Sequence, residues 1–495
     1  MTTALPVGFR SYGRVLSDLA RTEPNRPAVI ASAADGSEAV LSRRQLVERA
    51  VAAAHLFQER GVEPGSWVAV ALPNTAEHVI ACSGAWLLGA CVLPLSPSAP
   101  AAERDQHLDL AAPRVVVADW VDVKGTVTGA ELTSAEGAAP LPDVVADPGK
   151  AIGTGGSTGR PKLIVNPGPW GHHPGADEVL TGFGVRPDQV QLLPGPLHHN
   201  FGFDWCYQGL LRGHTVVIME RFDAARAVGL IERHRVQYAG LVPTMMRRIA
   251  QLPGISSHDL SSVQKIIHSA GPCPAWVKRA WFELIGAERL IEGYGASEGY
   301  GNTVISGDEW LERPGSVGQA FRCELEIRDE EGRPVPPGVV GEVWMRRPGV
   351  GDRYIGDERA RLDPEGFGSV GDLAHLDEDG YLYLADRRSD LIISGGVNVY
   401  PAEVENALSN HPAVADVAVV GLPDDEWGRR VHAIVQLMGG WDEPDPAELV
   451  AHARKALPAY KAPKSFEFVP ALPRDDGGKL RRAALLAERV SESAL

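Results

Sequence analysis

Short apolar runs alternate with amphipathic, helix-length segments along most of the chain, and that alternation confines it to folds built on parallel sheets. Leu41 to Glu59 is patterned as an amphipathic helix and Trp67 to Ala71 (WVAVA) as a buried strand. Arg114 to Ala118, Thr215 to Met219 and Lys265 to His268 are further strand-like runs. Helical segments Ala224 to His234 and Met245 to Leu252 lie between the last two. Parallel neighbours cannot be joined by a tight turn, so such an order needs crossover helices. After about Pro314 the texture changes. Glu324 to Arg328, Gly341 to Met345 and Tyr381 to Leu384 read as short strands parted by Gly, Pro and Asp turns, a smaller antiparallel region at about 315–387. The charged run Asp386-Arg387-Arg388-Ser389-Asp390 then leads into a compact α+β unit. There Pro401 to Asn410 opens as a helix with Glu403 and Glu405 in its first turns, Ala413 to Val420 and Val431 to Leu437 alternate like strands, and Leu449 to Leu457 is helical.

The chain has 495 residues, 44% of them hydrophobic and 23% charged, which allows a large core and excludes disorder as the main state. Lys+Arg number 48 against 64 Asp+Glu, a net charge of −16. An acidic chain is a poor general binder of nucleic acid or anionic lipid, so an anionic substrate needs a local device. The five cysteines (Cys82, Cys91, Cys206, Cys273, Cys323) are odd in number and form no CxxC pair, which argues against a disulfide framework or zinc site and for a reducing cytoplasm. Met1 to Arg14 has no apolar core of signal-peptide length. Val79 to Leu95 is nearly uncharged, but it is short and broken by Gly84, Gly89 and Pro94. It reads as a buried helix running into a core strand, with no membrane span.

The glycine-rich segment from Gly153 to Lys162 (GTGGSTGRPK) admits four readings. A Walker A loop needs Gly-Lys-Ser/Thr at its end, and Gly159 is followed by Arg160-Pro161. A nucleophile elbow matches in letters, with Ser157 as the serine of a hydrolase, but needs a helix behind it. Leu163 to Pro169 contains two prolines and a glycine and favours a short strand and a loop. A phosphate cradle requires no helix. Glycines let backbone N–H groups turn inward, Thr154, Ser157 and Thr158 add hydroxyl donors, and Lys162 supplies a mobile charge. The fourth reading is an ordinary glycine-rich surface turn.

The segments that follow, in their order, resemble the adenylate-forming superfamily, which includes acyl-CoA synthetases. The 153–162 segment resembles its Thr/Ser-Gly-rich loop ending in Pro-Lys, and Ser269-Ala270-Gly271-Pro272-Cys273-Pro274 its adenine-side turn. Glu292-Gly293-Tyr294-Gly295-Ala296-Ser297-Glu298 resembles its Tyr-Gly-x-Thr-Glu segment, and Gly371-Asp372-Leu373 its Thr-Gly-Asp motif. Asp386 to Asp390 resembles the hinge, Ser394 to Glu405 (SGGVNVYPAEVE) the acyl-CoA synthetase version of the next motif, and Gly477-Gly478-Lys479-Leu480-Arg481 the C-terminal Gly-Lys motif.

The resemblance implies a large N-terminal AMP-binding domain at 1–387, with a β-barrel-like part from about 315. It also implies a hinge at 388–390 about Asp390 and a small mobile α+β domain at 391–495. ATP would be held by Thr154, Gly155, Gly156, Ser157, Thr158, Gly159 and Lys162 at its phosphates. Ala270, Gly271, Pro272, Tyr294 and Gly295 would surround adenine, and Asp372 with Arg387 would meet the ribose. Glu298 would bind Mg²⁺ and Ser297 would offer its hydroxyl to phosphate. Lys479 would bridge the α-phosphate and the attacking carboxylate. His199 would stand beside an acyl pocket with Phe201, Trp205, Gly240 and Val242; Gly240 and Ala239 would leave room and the two aromatics would form its wall. Gly395 and Gly396 would admit the arm of CoA. The sequence departs from the pattern at Ser297 for Thr, at Ser369-Val370 for Arg-Thr, at Leu163 for Gly, and in the Gly-, Pro- and His-rich stretch around Trp170, His172 and His173.

The expected activity is that of a cytoplasmic acid–thiol ligase, an acyl-CoA synthetase that makes acyl-AMP from a carboxylic acid and ATP and then the CoA thioester. The resemblance is to ligases for bulky ring-bearing acids, including bile-acid-like ones. The alternatives are an adenylation-only enzyme serving a second protein or a free carrier protein, a serine hydrolase, and a non-catalytic nucleotide-binding module. No nucleic-acid partner is expected, and a homodimer is compatible with the sequence.

Overall fold

The computed structural model describes residues 5–120, 122–123, 125–137, 139–155, 161–166, 168–347, 353–355, 362–387, 390–474, 478 and 480–492. Six parallel strands form the centre of a nine-stranded sheet. Their order is Leu290–Gly295, Lys265–His268, Tyr238–Leu241, Val190–Leu193, Thr215–Met219 and Pro27–Ser32. Antiparallel strands complete it, Asn302–Ser306 and Gln319–Ala320 on one side and Glu38–Ser42 on the other. The crossover helices Ala224–His234, Pro243–Ala250 and Ala275–Ile285 begin where local chemistry starts helices. Asp223 accepts a hydrogen bond from the Arg226 amide at 2.8 Å, and Pro243 occupies a first-turn position that needs no N–H. The Trp281 indole donates to the Met246 carbonyl at 3.0 Å and locks two of these helices together.

A six-stranded sheet runs in the order Arg353–Ile355, Pro161–Asn166, Lys150–Gly155, Cys91–Pro94, Trp67–Ala71, Val115–Ala118. Helices Arg43–Glu59 and Ala76–Leu87 and inner residues of both large sheets share one core that includes Val29, Val70, Ala81, Trp86 and Val216. The apolar stretch at 79–95 is a helix running into the strand Cys91–Pro94, and among the described residues no helix is long and apolar enough to cross a membrane.

Four antiparallel strands, Glu324–Arg328, Gly341–Arg346, Asp372–Leu376 and Leu382–Arg387, make the small sheet expected from 315 onwards. Its start lies later than that, because Gln319–Ala320 hydrogen-bonds into the nine-stranded sheet. The last unit has a hairpin, Val414–Asp424 with Gly428–Leu437, and Ser465–Val469 lies parallel to the second strand. Helices Pro401–Ser409, Pro446–Ala453 and Arg482–Glu492 accompany it, and it has core clusters of its own. The chain is therefore a mixed α/β protein with a large N-terminal and a small C-terminal domain. The helix expected at 449–457 starts earlier because Asp445 caps it, accepting from the Ala447 amide at 2.9 Å.

Candidate active site

Parallel strands bring their C-terminal ends to one edge of a sheet, and ligands bind in the crevice outside that edge. Here four such ends are followed by residues singled out in the sequence. Val190–Leu193 leads to His199, Tyr238–Leu241 to Val242, Lys265–His268 to Ala270 and Gly271, and Leu290–Gly295 carries Tyr294 and runs on to Ser297 and Glu298. Topology alone gathers them.

Ala270 has φ +73, a left-handed conformation that lifts its backbone out of the strand direction, and a Cβ at Gly271 would meet nothing within 4 Å. Both residues and Pro272 are exposed. The Tyr294 hydroxyl donates to Asp372 Oδ2 at 2.6 Å and so ties the large sheet to the small one. Asp372 stands opposite Arg387 in the strand register, at the end of a turn organised by Ser369. The Ser369 hydroxyl accepts from the Gly371 amide at 3.1 Å and donates to Glu342 at 2.6 Å. Ser369 thus builds the turn that presents Asp372. Below the edge, Glu292 is paired with buried Lys278, whose ammonium lies 4.6 Å from the centre of the Trp310 ring. Burial pushes His268 on the adjacent strand down to about 4, so it stays neutral.

The strands that flank the glycine-rich run, Lys150–Gly155 and Pro161–Asn166, are antiparallel, with Thr154 opposite Lys162. A strand behind the serine excludes the nucleophile-elbow reading, which requires a helix there. Gly156, Ser157, Thr158 and Gly159 lie outside the described residues, as do residues 388 and 389 of the hinge and Lys479. Lys162 Nζ stands 3.5 Å from Glu298 Oε1, both largely buried. No group of three or more His, Cys, Asp or Glu able to hold a metal occurs among the described residues. One carboxylate fits Mg²⁺ nonetheless, because that ion commonly takes one or two protein carboxylates and fills its shell with phosphate oxygens and water.

His199 is the N-cap residue of helix Asn200–Leu210, with its ring 4.5 Å from that of His198. Burial, and then the His199 charge, hold His198 down at about 3. Buried Lys150 is bound to Asp204, and to Asn200 at 2.6 Å, and pins the first turns of this helix. Phe201 and Trp205 project from it, ring centres 6.1 Å apart. Sequence reasoning missed the rest of the aromatic group: Phe183 and Tyr238 each lie 5.7 Å from Trp205, and Phe321 lies 5.3 Å from Phe183. Isolated aromatics on separate elements carry no local pattern that announces such a cluster.

Two expectations need correction. A Cβ on Gly240 would lie 3.0 Å from Leu193 and 3.4 Å from the Phe201 ring, so Phe201 already fills the space that the glycine leaves. Ala239 points the other way, into the helix-side core. The histidines after Trp170 serve the scaffold: His172 pairs with Asp177 at 2.9 Å, and His173 caps helix Pro174–Gly182. Trp170 stacks on Trp86, centres 4.9 Å apart.

In the small domain, Gly395 and Gly396 turn an exposed hairpin at φ +58 and +78, and a Cβ on Gly395 would strike Trp427 at 2.7 Å. Arg482 donates to Asp390 at 2.8 Å and to Glu405 at 2.6 and 2.7 Å, binding Asp390, expected as the hinge, to two helices. Gly478 rests on Thr244 of the large domain, where an added Cβ would approach Oγ1 to 2.6 Å.

Known proteins share this arrangement. The model of the AMP-binding enzyme family matches residues 16–355, and that of the AMP-binding enzyme C-terminal domain matches 403–479. A 2-succinylbenzoate–CoA ligase of Bacillus licheniformis is 31% identical over 95% of this chain and 98% of its own. A feruloyl-CoA synthase of Amycolatopsis is 34% identical over 89% and 92%. The structure of o-succinylbenzoate CoA synthetase from Bacillus subtilis, in complex with the acyl-adenylate intermediate OSB-AMP, superposes with a TM-score of 0.82 at 29% identity, covering 95% of this chain and 97% of that one. Likeness of that extent, running through both domains, means that the chain belongs to the AMP-binding enzyme family.

Proposed function

We propose that the protein is an AMP-forming ligase that joins a ring-bearing carboxylic acid to CoA. The carboxylate attacks the α-phosphorus of ATP, pyrophosphate leaves, and acyl-AMP forms. The thiol of CoA then loses its proton and attacks the acyl carbon, and AMP leaves. The observation that carries the reading is the segment from Leu290 to Glu298, which bonds the ribose-side Asp372 through Tyr294 at one end and faces Lys162 through Glu298 at the other. One rigid strand end thus sets the spacing between a nucleoside and its phosphates.

Asp372 accepts the ribose hydroxyls with Arg387 nearby, and the Tyr294 ring, Gly295 and the Ala270–Pro272 turn flank adenine. The segment from Thr154 to Lys162 takes the β- and γ-phosphates, and Ser297 adds a hydroxyl. Glu298 would hold Mg²⁺, which would supply charge neutralisation at the phosphate oxygens. Glu298 and Lys162 then part, each taking an oppositely charged group of the substrate complex. Lys479 is the cation that lets two anions meet at the α-phosphorus. Gly478 lies on Thr244, beside the acyl side of the site, which supports that role. Lys479 and an incoming thiol want the same face, so the domain from residue 391 swings about Asp390 and brings Gly395 and Gly396 to the pantetheine arm.

The acid packs near His199, Val242 and the wall of Phe201, Trp205 and Phe183. An aromatic wall favours a planar ring over acetate, and two relatives are named for succinylbenzoate and ferulate. Free, mostly buried thiols in all five cysteines support a cytoplasmic setting. The test is pyrophosphate release over a panel of acids, with and without CoA and with a free acyl carrier protein as a third arm. Release with aromatic acids and thioester with CoA are expected. No release with any acid refutes adenylation, a preference for acetate refutes the ring-bearing substrate, and thioester on the carrier alone moves the acceptor.

A further inference from the structure

The two domains meet along helix Pro243–Ala250, and the contact forms a closed circuit. Arg247 on that helix reaches Asp416 on strand Val414–Asp424, NH1 to Oδ1 3.0 Å, with the two side chains 14% and 7% exposed. Asp416 also accepts two bonds from Arg474, at 2.7 and 2.9 Å. Arg474 in turn donates to the Gly478 carbonyl at 2.9 Å and pairs with Leu480 as an antiparallel bridge. Gly478 then rests on Thr244, three residues before Arg247 on the helix where the circuit began. Gln251, just past the helix end, donates to the Met438 sulfur at 3.2 Å and widens the same interface.

Burial alone would raise the Asp416 carboxyl, but Arg474 and Arg247 hold it at about 2, so it is charged at every working pH. Arg474, Gly478 and Asp416 all belong to the small domain, so the bonds of Arg474 to Asp416 and to the Gly478 carbonyl lie within it. Arg247 does not travel with them. Its bond to Asp416 crosses between the two domains, as does the contact of Gly478 with Thr244.

We infer that Arg247 is a positioning residue for adenylation: it selects the domain orientation that delivers the turn carrying Lys479, and it touches no reactant. The inference rests on the proposed role of Lys479 in forming acyl-AMP. A switch needs such a contact, since an orientation is favoured only by interactions absent from its alternative. A partly buried guanidinium–carboxylate pair is specific in geometry, and an ammonium restores its charge but only part of its fork.

The test uses full-length Arg247→Ala, Arg247→Gln and Arg247→Lys, with Lys479→Ala as reference, in two assays. One measures pyrophosphate release from acid and ATP; the other measures thioester formation from supplied acyl-AMP and CoA. Arg247→Ala and Arg247→Gln are expected to lower kcat of the first about tenfold or more. Their KM for ATP and acid should move less than about twofold, and the second assay should stay within about twofold of the parent. Arg247→Lys should recover most of the first activity. Wild-type pyrophosphate release in the alanine and glutamine variants overturns the inference, and so does equal loss in both assays by the glutamine variant at an unchanged melting temperature. Should Lys479→Ala itself release pyrophosphate normally, the reading of Lys479 fails and the role of Arg247 fails with it. Loss in Lys479→Ala beside normal release in Arg247→Gln removes the role of Arg247 alone.

Discussion

Gly478→Ala probes the docked turn at its tightest point. Gly478 has φ +80, where an L-residue with a Cβ costs about 1–2 kcal/mol. The new methyl would also stand 2.6 Å from Thr244 Oγ1 and 3.3 Å from its Cγ2. A threonine has no distant, flexible end to swing away, so χ1 must leave its well, at a cost of about 0.5–1.5 kcal/mol. The two terms differ in kind. The φ strain belongs to the turn wherever the small domain stands; the contact with Thr244 belongs to the docked orientation alone. Only the second therefore opposes docking, by about 0.5–1.5 kcal/mol, or roughly a twofold to tenfold loss in the rate of pyrophosphate release. The assay is stopped-flow pyrophosphate release with saturating acid, ATP and Mg²⁺, on Gly478→Ala and on Gly478→Ala with Thr244→Ala. Removing both γ atoms of Thr244 should return that loss, about twofold to tenfold in rate, and leave the φ strain, which does not bias docking, in place. Full activity in the single variant, or a double variant no faster than the single one, would show that Gly478 does not sit on Thr244 when acyl-AMP forms.

Tyr294→Phe keeps the ring proposed to flank adenine and removes the 2.6 Å bond to Asp372. A hydrogen bond to a charged acceptor is worth about 1.5–3 kcal/mol, so KM for ATP should rise about tenfold to a hundredfold in steady-state kinetics with little change for the acid. Gly240→Ala should do the reverse: its Cβ would press on Leu193 and the Phe201 ring, raising KM for ring-bearing acids several-fold while KM for ATP stays put. Acid should destabilise the fold earlier than carboxylate titration would. Burial lowers His78, His214 and His268 to about 4 and His198 to about 3, against 6.5 for an unhindered imidazole. Between pH 6.5 and 4 the unfolded chain therefore binds more protons, and stability falls with pH by up to about 1.4 kcal/mol per pH unit for each histidine. Melting temperatures taken from pH 8 to pH 4.5 should drop below about pH 6.5, and a flat profile would mean that these rings are not held neutral.

What the sequence made legible is what chemistry writes into short windows. A buried strand needs a short apolar run, and a crossover helix needs its period and its cap, so the strand at Lys265–His268 and the helix at Ala224–His234 could be read in place. Only part of the aromatic wall could. Phe201 and Trp205 lie on one helix, whereas Phe183, Tyr238 and Phe321 come from three other stretches of chain, and only the fold brings them to it. Gly240 shows the same limit from the other side: a missing side chain signals space, but which neighbour enters that space is a fact of packing.

Arg247 is the extreme case. Its partner is Asp416, and nothing in PTMMRRIA distinguishes it from Arg248, the exposed arginine beside it. Helical periodicity predicts that one of the two faces outward, but it cannot say that the other faces a second domain. Motifs that bind a ligand are constrained at every working instant and so leave dense local marks. A contact that exists in one of two domain orientations constrains a single side chain for part of the cycle. An enzyme that alternates between orientations should therefore keep its ligand-binding residues in readable clusters and its switching residues scattered, one per contact, where a sequence alone shows ordinary surface arginines.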